Sequence, residues 1–123
     1  MSEMKFEINR EDLQAHLVAR AEHYAKKSLS YQADADKADH ETEEQLSAAE
    51  TVTDRLNIKN STIYDATVKR RDAARGKYFE SKDRAAAFRF YADHLPLSWA
   101  TVRLTTSELA QFELTPAVRY AAF

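Results

Sequence analysis

The chain has no cysteine, one glycine and two prolines among its 123 residues. Without cysteine there are no disulfides, no thiolate metal sites and no cysteine nucleophile. A reducing, cytoplasmic setting suits such a composition. With one glycine, no Gly-rich loop can cradle a phosphate. Chains built from many turns need more glycine and proline than this, so the elements must be few and long. No apolar run approaches the ~20 residues that span a bilayer. The opening MSEMKFEINRED has no apolar core of the kind a secretory signal carries. Nor is there an excess of one charge: 18 Lys and Arg face 20 Asp and Glu, a net charge of −2. A generic nucleic-acid binder would be clearly basic, and a whole-chain acidic decoy clearly acidic.

What remains is pattern, and the length suits one domain, 1–123. In Met4–Ile8 the apolar Met4, Phe6 and Ile8 alternate with Lys5 and Glu7, the period of a half-buried strand. Asn9 follows as a helix N-cap, with Glu11 and Asp12 in the first turn. Neither glycine nor proline occurs from Arg10 to Leu56. Leu17, Ala21, Tyr24, Ser28, Tyr31, Ala35, Ala38, Thr42, Gln45, Ala49, Val52 and Leu56 alternate at spacings of four and three, a heptad seam made largely of small residues. This predicts one helix over 10–56, with a break in Asn57–Thr62.

Ser61 or Thr62 caps a second helix over 62–94 that stops before Pro96. Its seam is Ile63, Thr67, Ala74, Tyr78, Ser81, Ala85, Phe88, Ala92 and Leu95. Gly76 inside it suggests close backbone approach. A short connection makes the two helices an antiparallel hairpin, with Asp34, Asp36, Glu41 and Glu43 facing Arg84, Lys82, Lys77 and Arg75. In that register the first helix outruns the second, and something else must cover Leu13, Leu17 and Val18.

The segment 97–123 supplies it. Val102 and Leu104 read as a strand. Thr105 and Glu108 have capping-box spacing ahead of a short helix to about Phe112, and Thr115–Pro116 suits another helical start. FEINREDL and VRLTTSEL share one plan of strand, polar cap, acid and leucine. The expected fold is therefore mainly α: a long, coiled-coil-like antiparallel hairpin on a small base. The base has a two-stranded sheet, a short C-terminal helix and a local core of Phe88, Phe90, Tyr91 and Trp99.

Candidate sites are sparse. DADKADHETEE (34–44) keeps Ala35, Ala38 and Thr42 inward and turns its acids outward, as a helix with one dry seam does. Its acids have an internal partner in the basic stretch KRRDAARGK (69–77). The alternative, mimicry of a phosphate backbone, needs those acids to be free. Asp36, His40 and Glu44 share a helical stripe of about 12 Å, too long for three ligands on one ion. His16 and His23 have no catalytic context, and GxSxG is absent. No catalytic residue, metal or cofactor is assigned.

The function these features imply is a non-catalytic protein–protein interaction module. By analogy of style alone it would be a small accessory or inhibitor protein of the phage or mobile-element kind, acting on a larger protein or nucleoprotein enzyme. The contact residues chosen are Asn57, Lys59 and Asn60 at the turn, with Lys69, Arg70, Arg71, Arg75 and Lys77. One alternative is a homo-oligomeric helical bundle using Leu29, Leu46, Val68 and Phe79. Another is single-stranded nucleic-acid binding through 69–77, where Tyr78 and Phe79 adjoin the cations.

Overall fold

The computed structural model describes residues 5–114. The elements run β1 (Lys5–Asn9), α1 (Arg10–Ser47), α2 (Val52–Lys59), α3 (Thr62–Asp93), β2 (Thr101–Thr105) and α4 (Thr106–Gln111). Thr115 and Pro116 lie outside the described residues. The chain divides into two compact units, one of Met1–His23 with Arg84–Phe123, the other Tyr24–Asp83.

In the first unit β1 and β2 pair antiparallel, with Phe6 opposite Leu104, Glu7 opposite Arg103 and Ile8 opposite Val102. Each strand runs straight into a helix, and its last residue is the cap. Asn9 Oδ1 accepts from the N–H groups of Glu11 (2.8 Å) and Asp12 (3.3 Å). Thr105 Oγ1 accepts from Glu108 N–H while Glu108 Oε1 accepts from Thr105 N–H, a complete capping box. Superposing the two segments exchanges Phe6 with Val102 and Ile8 with Leu104, so the ribbon has a local two-fold centred on Glu7 and Arg103. The similarity of FEINREDL and VRLTTSEL is thus structural: each is a strand, a cap and a leucine that enters the core.

That core is Leu13, Leu17, Leu104 and Leu109, all fully buried, with Ile8, Phe88, Ala92, Val102 and Leu114 around them. Burying a side chain of this size contributes about 1.5–3 kcal/mol. Val18 is half-buried. Gln14 Nε2 donates to Ala92 O (3.4 Å), so α3 does extend alongside the start of α1. Two expected core members lie elsewhere: Phe90 and Trp99 are more than half exposed. Phe90 stacks on His94 at 4.0 Å, and Arg10 Nε donates to the Trp99 carbonyl, holding the backbone of Trp99 and not its ring.

In the second unit the seam of α1 is as the sequence predicts from Tyr24 to Gln45: every position is buried or half-buried. On α3, Thr67, Ala74 and Ser81 are buried. The first helix, however, ends at Ser47 and not at 56, and the chain turns before α2 begins. Thr51 caps α2 by accepting from Asp54 N–H (3.1 Å). Val52, Leu56 and Ile63, assigned to the seam by spacing, are exposed. Ser61 is the cap of α3, accepting from Tyr64 N–H (3.2 Å).

Inserting α2 into the connection shifts the pairing. Glu41 meets Arg70 and not Lys77, about two helical turns away from the simple hairpin register. Gln45 Nε2 donates to Thr67 Oγ1 (3.1 Å) in the same register.

Gly76 does not mark close approach, because an added Cβ would meet no atom within 4 Å. It is an exposed helical glycine. Gly76→Ala is therefore expected to stabilise the protein by about 0.5–1 kcal/mol. Urea denaturation with an unchanged slope would report it, and a destabilised variant would contradict the open surroundings.

Candidate interaction surface

The eight candidate contact residues fall into two groups. Lys69, Arg70, Arg71, Arg75 and Lys77 lie on α3 and are largely engaged within the unit. Lys69 Nζ reaches Asp65 at 3.0 Å, one turn back. Arg70 Nη2 donates to Glu41 Oε2. Arg71 occupies the seam position between Thr67 and Ala74, half-buried, where its Nη1 reaches Asp39 (3.4 Å) and its Nε reaches Asp72 (3.2 Å). Burial acts to lower the Arg71 pKa, but the hydrogen bonds and charges of Asp72 and then Asp39 outweigh it and raise it above the ordinary arginine value. Arg75 also leans on Asp39, at 3.7 Å. Lys77 Nζ sits 5.7 Å from the centre of the Tyr31 ring.

The acidic stretch is therefore in part the counter-charge of the basic stretch, as the sequence implies, although Glu41 takes Arg70 and not Lys77, and Arg75 leans on Asp39 and not on Glu43. Asp39, absent from those pairs, is the hub. His40 bonds Glu44 at 2.9 Å along the same helix. Among the described residues no group of acids and histidines is arranged to hold a metal ion.

Asn57, Lys59 and Asn60 are exposed, but on a helix and its C-cap and not on a loop. They belong to a surface that spacing alone misplaced. α2 buries none of its own side chains. Val52 is 76% exposed, Leu56 56% and Ile63, at the start of α3, 73%. Leu29 and Phe79, proposed for a second face, are exposed as well, whereas Leu46 and Val68 are half-buried.

The first unit holds a feature with no sequence forecast. Glu113 has φ of 56°, the left-handed region that favours glycine. Its N–H bonds Ala110 O (3.1 Å) and Leu114 N–H bonds Leu109 O (2.8 Å), the Schellman ending of α4, with Leu114 packed beneath. The Glu113 carboxylate takes Arg20 at 2.6 Å and lies 3.9 Å from Arg84. His16 Nε2 donates to the neighbouring Phe112 carbonyl (2.7 Å). A side chain that ties α4 to α1 thus offsets a backbone cost of about 1 kcal/mol. The only glycine of the chain lies elsewhere, on α3.

No family model matches the chain, and neither a curated protein nor a solved structure matches it.

Two outcomes are expected. Reversing Arg70 to Glu should destabilise the second unit by less than about 1 kcal/mol, because the pair is largely exposed. The exchange Arg70→Glu with Glu41→Arg should restore the loss in thermal denaturation, while Arg70→Glu with Lys77→Glu should not. Glu113→Gly should be nearly neutral in the wild type, trading an ion pair for an easier backbone. In an Arg20→Met background the same change should stabilise by up to about 1 kcal/mol. A destabilising effect of Glu113→Gly in that background would contradict the strain argument.

Proposed function

We propose that this protein is a non-catalytic interaction module that docks a larger protein or nucleoprotein partner through α2 and the start of α3. The observation that carries this reading is a capped helix with no buried residue whose Val52 and Leu56, with Ile63 beside them in sequence, face solvent, Ile58 alone of its apolar side chains being half-buried. An eight-residue helix is marginal on its own in water. Large apolar side chains held out on such an element suit a surface that another protein covers.

Nucleic-acid binding through 69–77 is the weaker reading, because Arg70, Arg71 and Arg75 already face Glu41, Asp39 and Asp72. A phosphate backbone would have to displace those carboxylates. The same pairs make Arg70 and Arg71 poor probes of a partner, since reversing them perturbs the unit itself. A homo-oligomeric bundle has support from the exposed Leu29 and Phe79. We place the module in the cytoplasm, as an accessory or inhibitor protein of the phage or mobile-element style. No helix among the described residues is long and apolar enough to cross a membrane.

The test is a tagged pull-down from the native host's lysate in moderate salt, with and without nuclease, using the wild type and the double variant Leu56→Asp/Ile63→Asp. Both positions are exposed, so circular dichroism should be unchanged. A stoichiometric protein that survives nuclease and is lost with the double variant is expected. Material that disappears with nuclease would overturn the reading in favour of the basic stretch.

A further inference from the structure

The docking surface has a charge as well as an apolar stripe, and this narrows its partner. Val52, Leu56 and Lys59 follow the i, i+4, i+7 spacing of one helical face. At about 100° per residue, Arg55 flanks that face and Asp54 falls on the opposite side of the helix. Thr53 and Asn60 complete its borders, so the face carries two cations and no acid. All of these residues are exposed. Asp65 is taken by Lys69 and Asp72 by Arg71, and among the described residues Arg55 and Lys59 have no carboxylate partner. On α3, Arg70, Arg71 and Arg75 are matched by Glu41 and Asp39 of α1; on α2 Arg55 and Lys59 have no such match among the described residues.

Resting on the reading that α2 is the docking surface, we infer that its partner is an acidic amphipathic helix. The partner's apolar stripe packs on Val52 and Leu56, and its carboxylates meet Arg55 and Lys59. Helix-on-helix docking suits the i, i+4 spacing of Val52 and Leu56 on an exposed helical face. The acidic complement follows from the two cations at its rim, which set specificity and association rate more than they set affinity. A basic partner would bring like charges together at both positions. A second copy docking α2 on α2 in a symmetric pair would do the same, because each face carries the same cations.

The experiment uses the intact protein and two fluorescent peptides of about 18 residues, long enough to form helix. Both carry leucine at i, i+3, i+4 and i+7. One has glutamate on its polar face and the other lysine. Fluorescence anisotropy is read for wild type, for Leu56→Asp and for Arg55→Glu/Lys59→Glu, and only binding that Leu56→Asp abolishes is counted. The glutamate peptide should bind saturably and at least about tenfold more tightly than the lysine peptide. Rising salt should weaken it, and the charge-reversed variant should invert the preference.

Equal affinity for the two peptides overturns the inference, as does the absence of Leu56-dependent binding by either up to about 1 mM. Sedimentation showing a Leu56-dependent dimer of the protein itself also overturns it, since the second copy would then be the occupant. If a captured partner depends on Leu56 but not on Arg55 and Lys59, the docking surface stands and its acidic complement falls.

Discussion

The second unit depends on a seam of small residues. Ala35, Ala38, Thr42, Thr67, Ala74 and Ser81 let α1 and α3 approach closely, but each layer removes little apolar surface from water. Such a seam specifies a register weakly, because an alanine layer shifted by a heptad meets another small layer. Charge supplies what burial does not. Asp39 draws in Arg71 and Arg75, and Glu41 takes Arg70. Each pair is worth under about 1 kcal/mol at these exposures, and a register shifted by a heptad would break these pairs and set Glu41 against Lys77 and Glu43 against Arg75 instead. The large aliphatic residues that a long hairpin would usually bury are then left for other uses, and on α2 Val52 and Leu56 face outward.

The first unit solves its packing differently. Four fully buried leucines give it a conventional core, and a ribbon with a local two-fold feeds two capped helices into that core. The α4 end closes by a Schellman turn in a backbone conformation that glutamate disfavours, and the carboxylate of Glu113 joins α4 to Arg20 of α1. That residue is tied to its position by its side chain as well as by its backbone, which makes it a more informative target for substitution than the leucines around it.

Much of this was legible from spacing. The alternation in both strands, the caps at Asn9 and Thr105 and the inward positions from Leu17 to Gln45 are local signals, and local signals decided them. The end of α1 at Ser47 was not legible, because Ala49, Val52 and Leu56 continue the heptad in phase and no glycine or proline interrupts it. The available sign was Thr51 with Asp54, a polar cap with an acid three residues on, the same spacing as Thr105 with Glu108. The register followed from that boundary, so an error in one became an error in the other. The acid–base pairing was readable as composition on two facing helices but not as named partners. Glu113 was hidden for a different reason: a left-handed residue is forecast from glycine or asparagine, and here a tertiary ion pair takes their place. Phe90 and Trp99 illustrate the limit of reading aromatic residues as core: Phe90 lies on an exposed side of α3, and Trp99 is held by its backbone carbonyl and not by its ring.

The central claim is that α1 ends at Ser47 and that this sets the pairing of α1 with α3. Disulfide trapping tests it directly, because the protein has no cysteine of its own. Ala38 and Ala74 line the same hollow between the two helices. Ala38→Cys with Ala74→Cys should form an intramolecular bond readily under mild oxidation, and Ala38→Cys with Ser81→Cys should not. Efficient trapping of the 38–81 pair in place of the 38–74 pair would mean that α1 runs on through α2, and the account of the register and of the exposed α2 face would be wrong.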